Sequence, residues 1–494
     1  ITRNGMVQNY NITLSGGTEK TTYYFSADYF GDEGIVKGNY YNRMVLRSSN
    51  EYKLNKYITF GQTLNFTYAY NNMKPNVFTD AYRIGSTAPI RYPNGKYGFV
   101  NGLSVSNPVA ALNYTHNYRK DYSLLGNVFL EIKPFKGITL KSSLNFNKPD
   151  FKELNYTPEY LVSPTQYSNN STLTIKQSQT WNYILDNIIT YENIFLENHE
   201  IRFTLGYTAE KQTNYFLSAS RNDVPELENL WYFGFGDPNS TTISDDGSLI
   251  QRASYFSRLI YTFKNKYNFS GVLRRDGSSL FPPEKKWGTF YSTGFTWIIS
   301  REPFIENLHM FDELKLRASY GLIGNDNIPY SAGTAFLQPV TLTGNYGFGG
   351  NSQPVVLGLT FEELKDASLS WETTKGTDIG LEFGLFQNKL FGEIGWYSKL
   401  TNAYVYTSFL TTAGDKDRRI FAQAADIRNK GIELIMNWKQ RLDFGLLYKL
   451  GFNITFNQNN VENVKGNLQL KDGSLGNGHI TTYTIEGQPI GSFW

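Results

Sequence analysis

The stretch Thr377 to Lys399 restricts the fold more than any other part of the chain. Ile379, Leu381, Phe383 and Leu385 alternate there with Asp378, Gly380, Glu382 and Gly384. After a reversal at Gln387-Asn388, Leu390, Gly392, Ile394 and Trp396 alternate with Phe391, Glu393, Gly395 and Tyr397. Successive side chains of a strand point to opposite faces, so a period of two over this length predicts two antiparallel strands with one apolar face.

The pattern recurs along nearly the whole chain. In Tyr57–Tyr70, Ile58, Phe60, Leu64, Phe66, Tyr68 and Tyr70 share a face, and Thr59, Gly61, Thr63, Asn65 and Thr67 occupy the other. Further strands are predicted over Gln8–Ser15, Thr21–Phe30, Asn42–Lys53, Tyr122–Lys133, Gly137–Asn147, Thr174–Phe195 and Glu200–Arg221. Beyond these come Gln251–Phe263, Tyr267–Arg275, Trp287–Ser300, Glu313–Ile323, Arg428–Lys439 and Phe444–Gln458. Together they make about sixteen to seventeen strands.

Connection length alternates with equal regularity. Short turns such as Asn55-Lys56, Pro134-Phe135-Lys136 and Lys264-Asn265-Lys266 follow each odd strand, except at the link Arg301–Asp312, where a helical turn fits. Long connections, including Asn71–Lys120, Asn222–Ile250, Gly324–Ser370 and Ala403–Ile427, follow each even one. Short turns at one end and long loops at the other are the pattern of a transmembrane antiparallel up-and-down β-barrel with short periplasmic turns and long extracellular loops. A Greek-key sandwich would scatter its crossovers over both ends. A propeller would show a fixed period, and none is present.

Composition is consistent with that all-β reading. No run approaches the roughly 20 apolar residues of a membrane helix, and mean hydropathy is −0.41, but a barrel escapes this test because alternate residues face a polar lumen. Aromatic residues are 16% of the chain, and Tyr68, Tyr70, Trp297, Trp396, Tyr397 and Trp438 fall near strand ends, as in interfacial girdles. The formal net charge is only +3 with no basic stripe, so nucleic acid is not an expected partner. There is no cysteine, which excludes disulfide frameworks and thiolate zinc sites. Ile1-Thr2-Arg3-Asn4 has no charged start followed by an apolar run, so the chain is expected to begin inside something longer or already processed.

Catalysis finds little support. The four histidines, His116, His199, His309 and His479, show neither a paired metal spacing nor a nucleophile elbow nearby. Asp245-Asp246-Gly247 and Asp415-Lys416-Asp417 lack the calcium-loop ladder of ligands and read as solvated loop acids. The chain is expected to be no enzyme and to need no cofactor or metal. Substrate-contact candidates are the loop aromatics Trp231, Tyr232, Phe233, Tyr346 and Phe348, whose faces could stack on sugars or clamp peptides. They could equally pack the loops together or contact a lid protein. Arg274 and Asp276 could form a charged cluster at a strand end, with a loop-fixing salt bridge as the plainer reading.

Several stretches resemble the SusC/RagA family of TonB-dependent outer-membrane transporters. They are NYNITLSGGTEKTTYY from Asn9 to Tyr24, LRRDGSS from Leu273 to Ser279, and LKLRASYG from Leu314 to Gly321 followed by Gly324-Asn325-Asp326. Trp371-Glu372-Thr373-Thr374, NKGIEL from Asn429 to Leu434 and GQPIGSF from Gly487 to Phe493 continue the series in the family's order. The resemblance implies a barrel of about 22 strands in the Gram-negative outer membrane, a plug inside it, a TonB box, and a SusD-like surface lipoprotein as lid. It also implies oligosaccharide or oligopeptide cargo, with TonB and outer-membrane lipid as further partners. The sequence departs from the full pattern at both ends, where plug, TonB box and some strands have no counterpart, so residues 1–494 are expected to be a partial barrel domain. The alternative is a barrel acting as receptor, adhesin or secretion component without import.

Overall fold

The computed structural model describes residues 1–102, 104–330, 337–340, 358–361, 363–364, 368–409, 418–465, 470–474 and 479–493. Sixteen long strands carry the alternation. They are β1 (Val7–Gly17), β2 (Thr21–Glu33), β3 (Tyr40–Lys53), β4 (Ile58–Asn72), β5 (His116–Phe135), β6 (Ile138–Thr157), β7 (Thr172–Phe195) and β8 (His199–Asn222). The series continues with β9 (Thr242–Phe263), β10 (Tyr267–Ser278), β11 (Trp287–Ile298), β12 (Phe311–Asn325), β13 (Glu372–Leu385), β14 (Leu390–Phe409), β15 (Arg418–Arg441) and β16 (Leu447–Val464). All belong to one sheet. They run 11 to 24 residues, against a mode of about five or six in soluble sheets.

The chain divides into two compact units. One comprises residues 1–134, 141–186 and 210–250, the other residues 135–140, 187–209 and 251–494. In the first, β1 through β5 pair consecutively and antiparallel. In the second, β9 through β16 do the same. Such up-and-down pairing needs only tight turns at one end, and the turns supply unusual backbone. Lys264 and Asn265 both adopt positive φ, as do Phe386, Gln387 and Asn388 in the reversal of the Thr377–Lys399 hairpin.

Strand existence follows the alternation, but strand ends do not. β9 begins at Thr242, not Gln251, because Asp245, Asp246 and Gly247 join the ladder although they present no apolar face. β5 begins at His116 and β6 runs on to Thr157. β14 and β15 extend through most of the expected loop Ala403–Ile427, β14 as far as Phe409 and β15 from Arg418. Backbone hydrogen bonding sustains a strand wherever its neighbour continues, while the apolar signal ends where the wall no longer meets an apolar environment. One turn is also displaced. Phe444 and Leu446 precede β16, and the reversal turns through Asp443 and Phe444, closed by the Gly445 N–H donating to the Leu442 carbonyl with Gly445 at φ +95°.

Register separates two faces. On one, Tyr255, Leu259, Phe269, Leu273, Tyr291, Phe295 and Tyr320 align across β9–β12, and all are exposed. The opposite face carries Ser254, Ser270, Arg274, Asp276, Ser292, Thr296, Arg317 and Ser319. A continuous apolar face of this extent is untenable in water and natural against hydrocarbon.

At the short-turn end the apolar face closes with aromatic rings. Tyr267 stacks on Trp297 at 6.3 Å and on Phe263 at 6.2 Å, and His199 lies 4.8 Å from Phe263. The expected helical turn in the link between β11 and β12 is present as Pro303–Glu306. Its N-cap residue Glu302 takes hydrogen bonds from Tyr267 Oη at 2.6 Å, Trp297 Nε1 at 3.1 Å and Lys266 Nζ at 3.3 Å.

Candidate functional site

The most organised chemistry on the polar face lies on β12, β13 and β14. Lys315 and Arg317 alternate with Leu314 and Leu316 along β12, so both cations leave the apolar face together. Ser319 pairs with Asp378, Arg317 with Gly380 and Lys315 with Glu382; on the next strand Glu382 pairs with Glu393 and Gly380 with Gly395. Arg317 meets Asp378 at 3.2 Å and Glu382 at 3.7 Å, and it also bridges to Glu393. Lys315 bridges to Glu382.

Two glycines make that reach possible. A Cβ on Gly380 would stand 2.6 Å from Arg317 Nε, so the guanidinium lies across this position; Gly395 leaves the same path open on the third strand. Three carboxylates surround two cations, and each of these side chains is 25 to 40% exposed. Water-accessible pairs of this kind add little stability. They fix a pattern of charge on the polar face, where a polar ligand or a second protein surface can read it.

Arg274 and Asp276 lie on the same face of β10. Arg274 Nε donates to both carboxylate oxygens of Asp276 at 2.8 Å, and Nη2 donates to Ser254 Oγ at 3.2 Å. The pair is therefore a strand-end salt bridge tied to the neighbouring strand. Arg252 and Asp326 form a similar bridge at 2.6 Å.

The loop aromatics separate into different environments. Trp231 is 6% exposed and stacks on Tyr156 at 4.4 Å, with His116 at 5.3 Å and Tyr118 at 6.2 Å. Leu173 and Val224 complete that cluster, and Phe233 packs against it. The Phe233 carbonyl accepts from Arg221 Nη1 at 2.5 Å. Tyr232, between them, is 64% exposed. Tyr346 and Phe348 lie outside the described residues, as do Asp415 and Asp417.

The long connection after β4 is built around buried Asn107. Its Oδ1 accepts from Val109 and Ala110 at the start of the helix Pro108–Tyr114, and its Nδ2 donates to the carbonyls of Ile90 and Gly98. Gln166 brackets the Asn107 backbone, accepting from its N–H at 2.7 Å and donating to its carbonyl at 3.1 Å. That bracket docks a small hairpin, Tyr160–Ser163 with Gln166–Ser168, onto the connection. Beside it opens a polar recess of about 540 Å³ lined by Tyr156, Glu159, Tyr160, Tyr167, Asn169 and Glu226.

The family model described as "TonB dependent receptor-like, beta-barrel" matches residues 56–488. The chain belongs to this family. Among curated relatives, TonB-dependent receptor P26 of Formosa agariphila is 28% identical over 470 residues, covering 93% of this chain and 46% of the relative. TonB-dependent receptor SusC of Bacteroides thetaiotaomicron is 25% identical over 514 residues, covering 94% of this chain and 48% of its own length. The chain thus spans about half the length of the curated relatives it matches. Among solved structures, the RagAB peptide transporter superposes with a TM-score of 0.82 at 22% identity, over 99% of this chain and 54% of that one. A chain of the ferric citrate transporter FecA gives 0.53 at 10% identity.

Family membership makes the two faces intelligible. In a membrane barrel the apolar face meets lipid and the polar face looks inward; here Ile379, Leu381 and Ile394 share the apolar face and Asp378, Glu382 and Glu393 the polar one. The sequence had placed Asp378 and Glu382 on the polar face. It had not singled out Lys315, Arg317 or Glu302. The first two were readable from their alternation with Leu314 and Leu316. Glu302 carried no such signal, because its partners Lys266 and Tyr267 sit on another strand's turn.

Proposed function

We propose that the whole protein is an outer-membrane nutrient importer of the Gram-negative envelope, a transporter and not an enzyme. It would take up oligosaccharides or oligopeptides under a SusD-like lipoprotein lid and draw energy through TonB. Residues 1–494 form part of its barrel wall with the extracellular loops, around a plug carried elsewhere in the whole protein. The observation that carries this reading is the likeness over nearly the whole chain to SusC and to the RagAB peptide transporter. The charged polar face supports it, because an interior with fixed charges of both signs suits a docked plug and hydrated cargo.

Cargo contacts fall to side chains that loop packing leaves open. The ring of Tyr232 and the recess containing Glu159, Tyr167 and Glu226 offer flat aromatic faces and acceptors for sugar hydroxyls or peptide amines. Arg274 and Asp276 offer a polar contact on the interior face. Trp231 is held by its loop.

The test is made in the native host. The full-length protein, tagged and extracted from outer membranes, is expected to bring down one lipoprotein in equal amount. Deleting its gene is expected to abolish uptake of one class of labelled oligomer, and a protonophore to do the same. A protein that purifies alone, and whose loss leaves uptake of glycans and peptides intact, would point to the receptor or adhesin role.

A further inference from the structure

Arg275 stands on the face opposite its neighbour Arg274. Arg274 is held by Asp276 on the interior face, whereas Arg275 is exposed on the apolar face and has no carboxylate partner among the described residues. Its guanidinium lies 5.5 Å from the centre of the Trp287 ring. Tyr255, directly opposite it in the ladder, stacks on Trp287 at 6.1 Å and lies 5.1 Å from Tyr207. The three rings form a shelf level with the cation. On the short-turn side of the shelf an apolar groove of about 490 Å³ runs between Ile189, Leu205 and Leu273, and Arg275 stands at its head.

Height on the wall gives this arrangement its meaning. Arg275 is eight positions along β10 from Tyr267 in the short-turn girdle. At about 3.4 Å per residue and a tilt near 40°, that is roughly 20 Å, close to the far edge of an apolar band about 25 Å tall. A cation at the middle of that band would be costly, but at its edge, beside aromatic rings, it meets headgroups.

We propose that this part of the wall, β7 to β10, binds an anionic phosphate-bearing lipid of the outer leaflet. The headgroup phosphate takes a bidentate contact from Arg275, and the first methylenes of an acyl chain fill the groove below the shelf. A guanidinium matches a phosphate in geometry as well as charge, and the groove is apolar where a chain would lie. The proposal rests on the membrane reading above and adds a specific annular site to it.

The test uses the full-length protein in detergent, titrated with phosphatidylglycerol or phosphatidylcholine and weighed intact by native mass spectrometry. The expected result is preferential retention of phosphatidylglycerol, reduced about fivefold by Arg275→Gln, the size of one basic residue's attraction to an anionic headgroup. Leu273→Trp, which fills the groove but keeps the cation, is expected to weaken retention as well, and Arg275→Lys to preserve part of it. Equal retention of both lipids, or Arg275→Gln binding as the parent does, would overturn the proposal. So would displacement by millimolar inorganic phosphate alone, which would mark a free-anion site. Each variant's heat-modifiable folded band and its insertion into vesicles are read in parallel. A folded, inserted protein without lipid preference refutes the site alone, whereas failure of the parent to insert refutes the membrane reading.

Discussion

Glu302 shows how much a single residue outside the strands can organise. Hydrogen bonds from Tyr267, then Trp297, then the Lys266 ammonium favour its charged form, and together they hold its carboxyl below the usual range despite burial. A carboxylate whose pKa is lower folded than unfolded contributes stability above its unfolded value, near 4.3, and loses it as pH falls through the folded one. Glu302→Gln is therefore expected to unfold more easily than the parent at pH 7, with the gap closing once pH falls well below the unfolded value. Heat-modifiability gels at pH 7 and at that lower pH measure it, and a gap that stays constant would show that the charge is irrelevant. At the same scale, the Arg274–Asp276 bridge was readable from two opposite charges two apart on a strand. The burial of Trp231 was not, because its partners His116, Tyr118, Tyr156 and Leu173 come from three other strands and no local pattern announces them.

At the scale of the element, depth along a strand decides what a substitution costs. Phe383 lies only two residues before β13 ends at Leu385, whereas Ile379 lies near the middle and is 45% exposed on the apolar face. Arginine on a lipid face costs about 2–4 kcal/mol at mid-depth and about 0–1 kcal/mol near an interface. Ile379→Arg is expected to carry the larger cost and Phe383→Arg the smaller one, read as equilibrium unfolding in urea from lipid vesicles. Equal costs, or the reverse order, would displace the apolar band assigned to this hairpin. The alternation made the existence and facing of such strands readable, since a single register shift would turn every side chain over. It could not give their ends. β9 continues through Asp245, Asp246 and Gly247, which present no apolar face, because the neighbouring backbone continues, and that information lies in the partner strand.

For the whole molecule, the decisive sequence signal was the alternation of tight turns with long connections, which selects an up-and-down barrel among all-β folds. Its weakest point was the connection after β2, which shrinks to residues 34–39. What the loops bind had no comparable signature, because a loop scaffold held together by buried Asn107 and a distant hairpin that carries Gln166 has no period. The central claim is that this wall crosses a membrane with one face in lipid and the other facing an aqueous interior. The chain contains no cysteine, so single introduced thiols can report each face in turn. In the full-length protein in outer-membrane vesicles, cysteines at Asp378, Glu382 and Glu393 are expected to react with a water-soluble maleimide. Cysteines at Ile379, Leu381 and Ile394 are expected to resist it and to be reached only by a probe dissolved in the bilayer. Equal labelling on both faces, or reaction of the Ile379 series from water, would contradict the account.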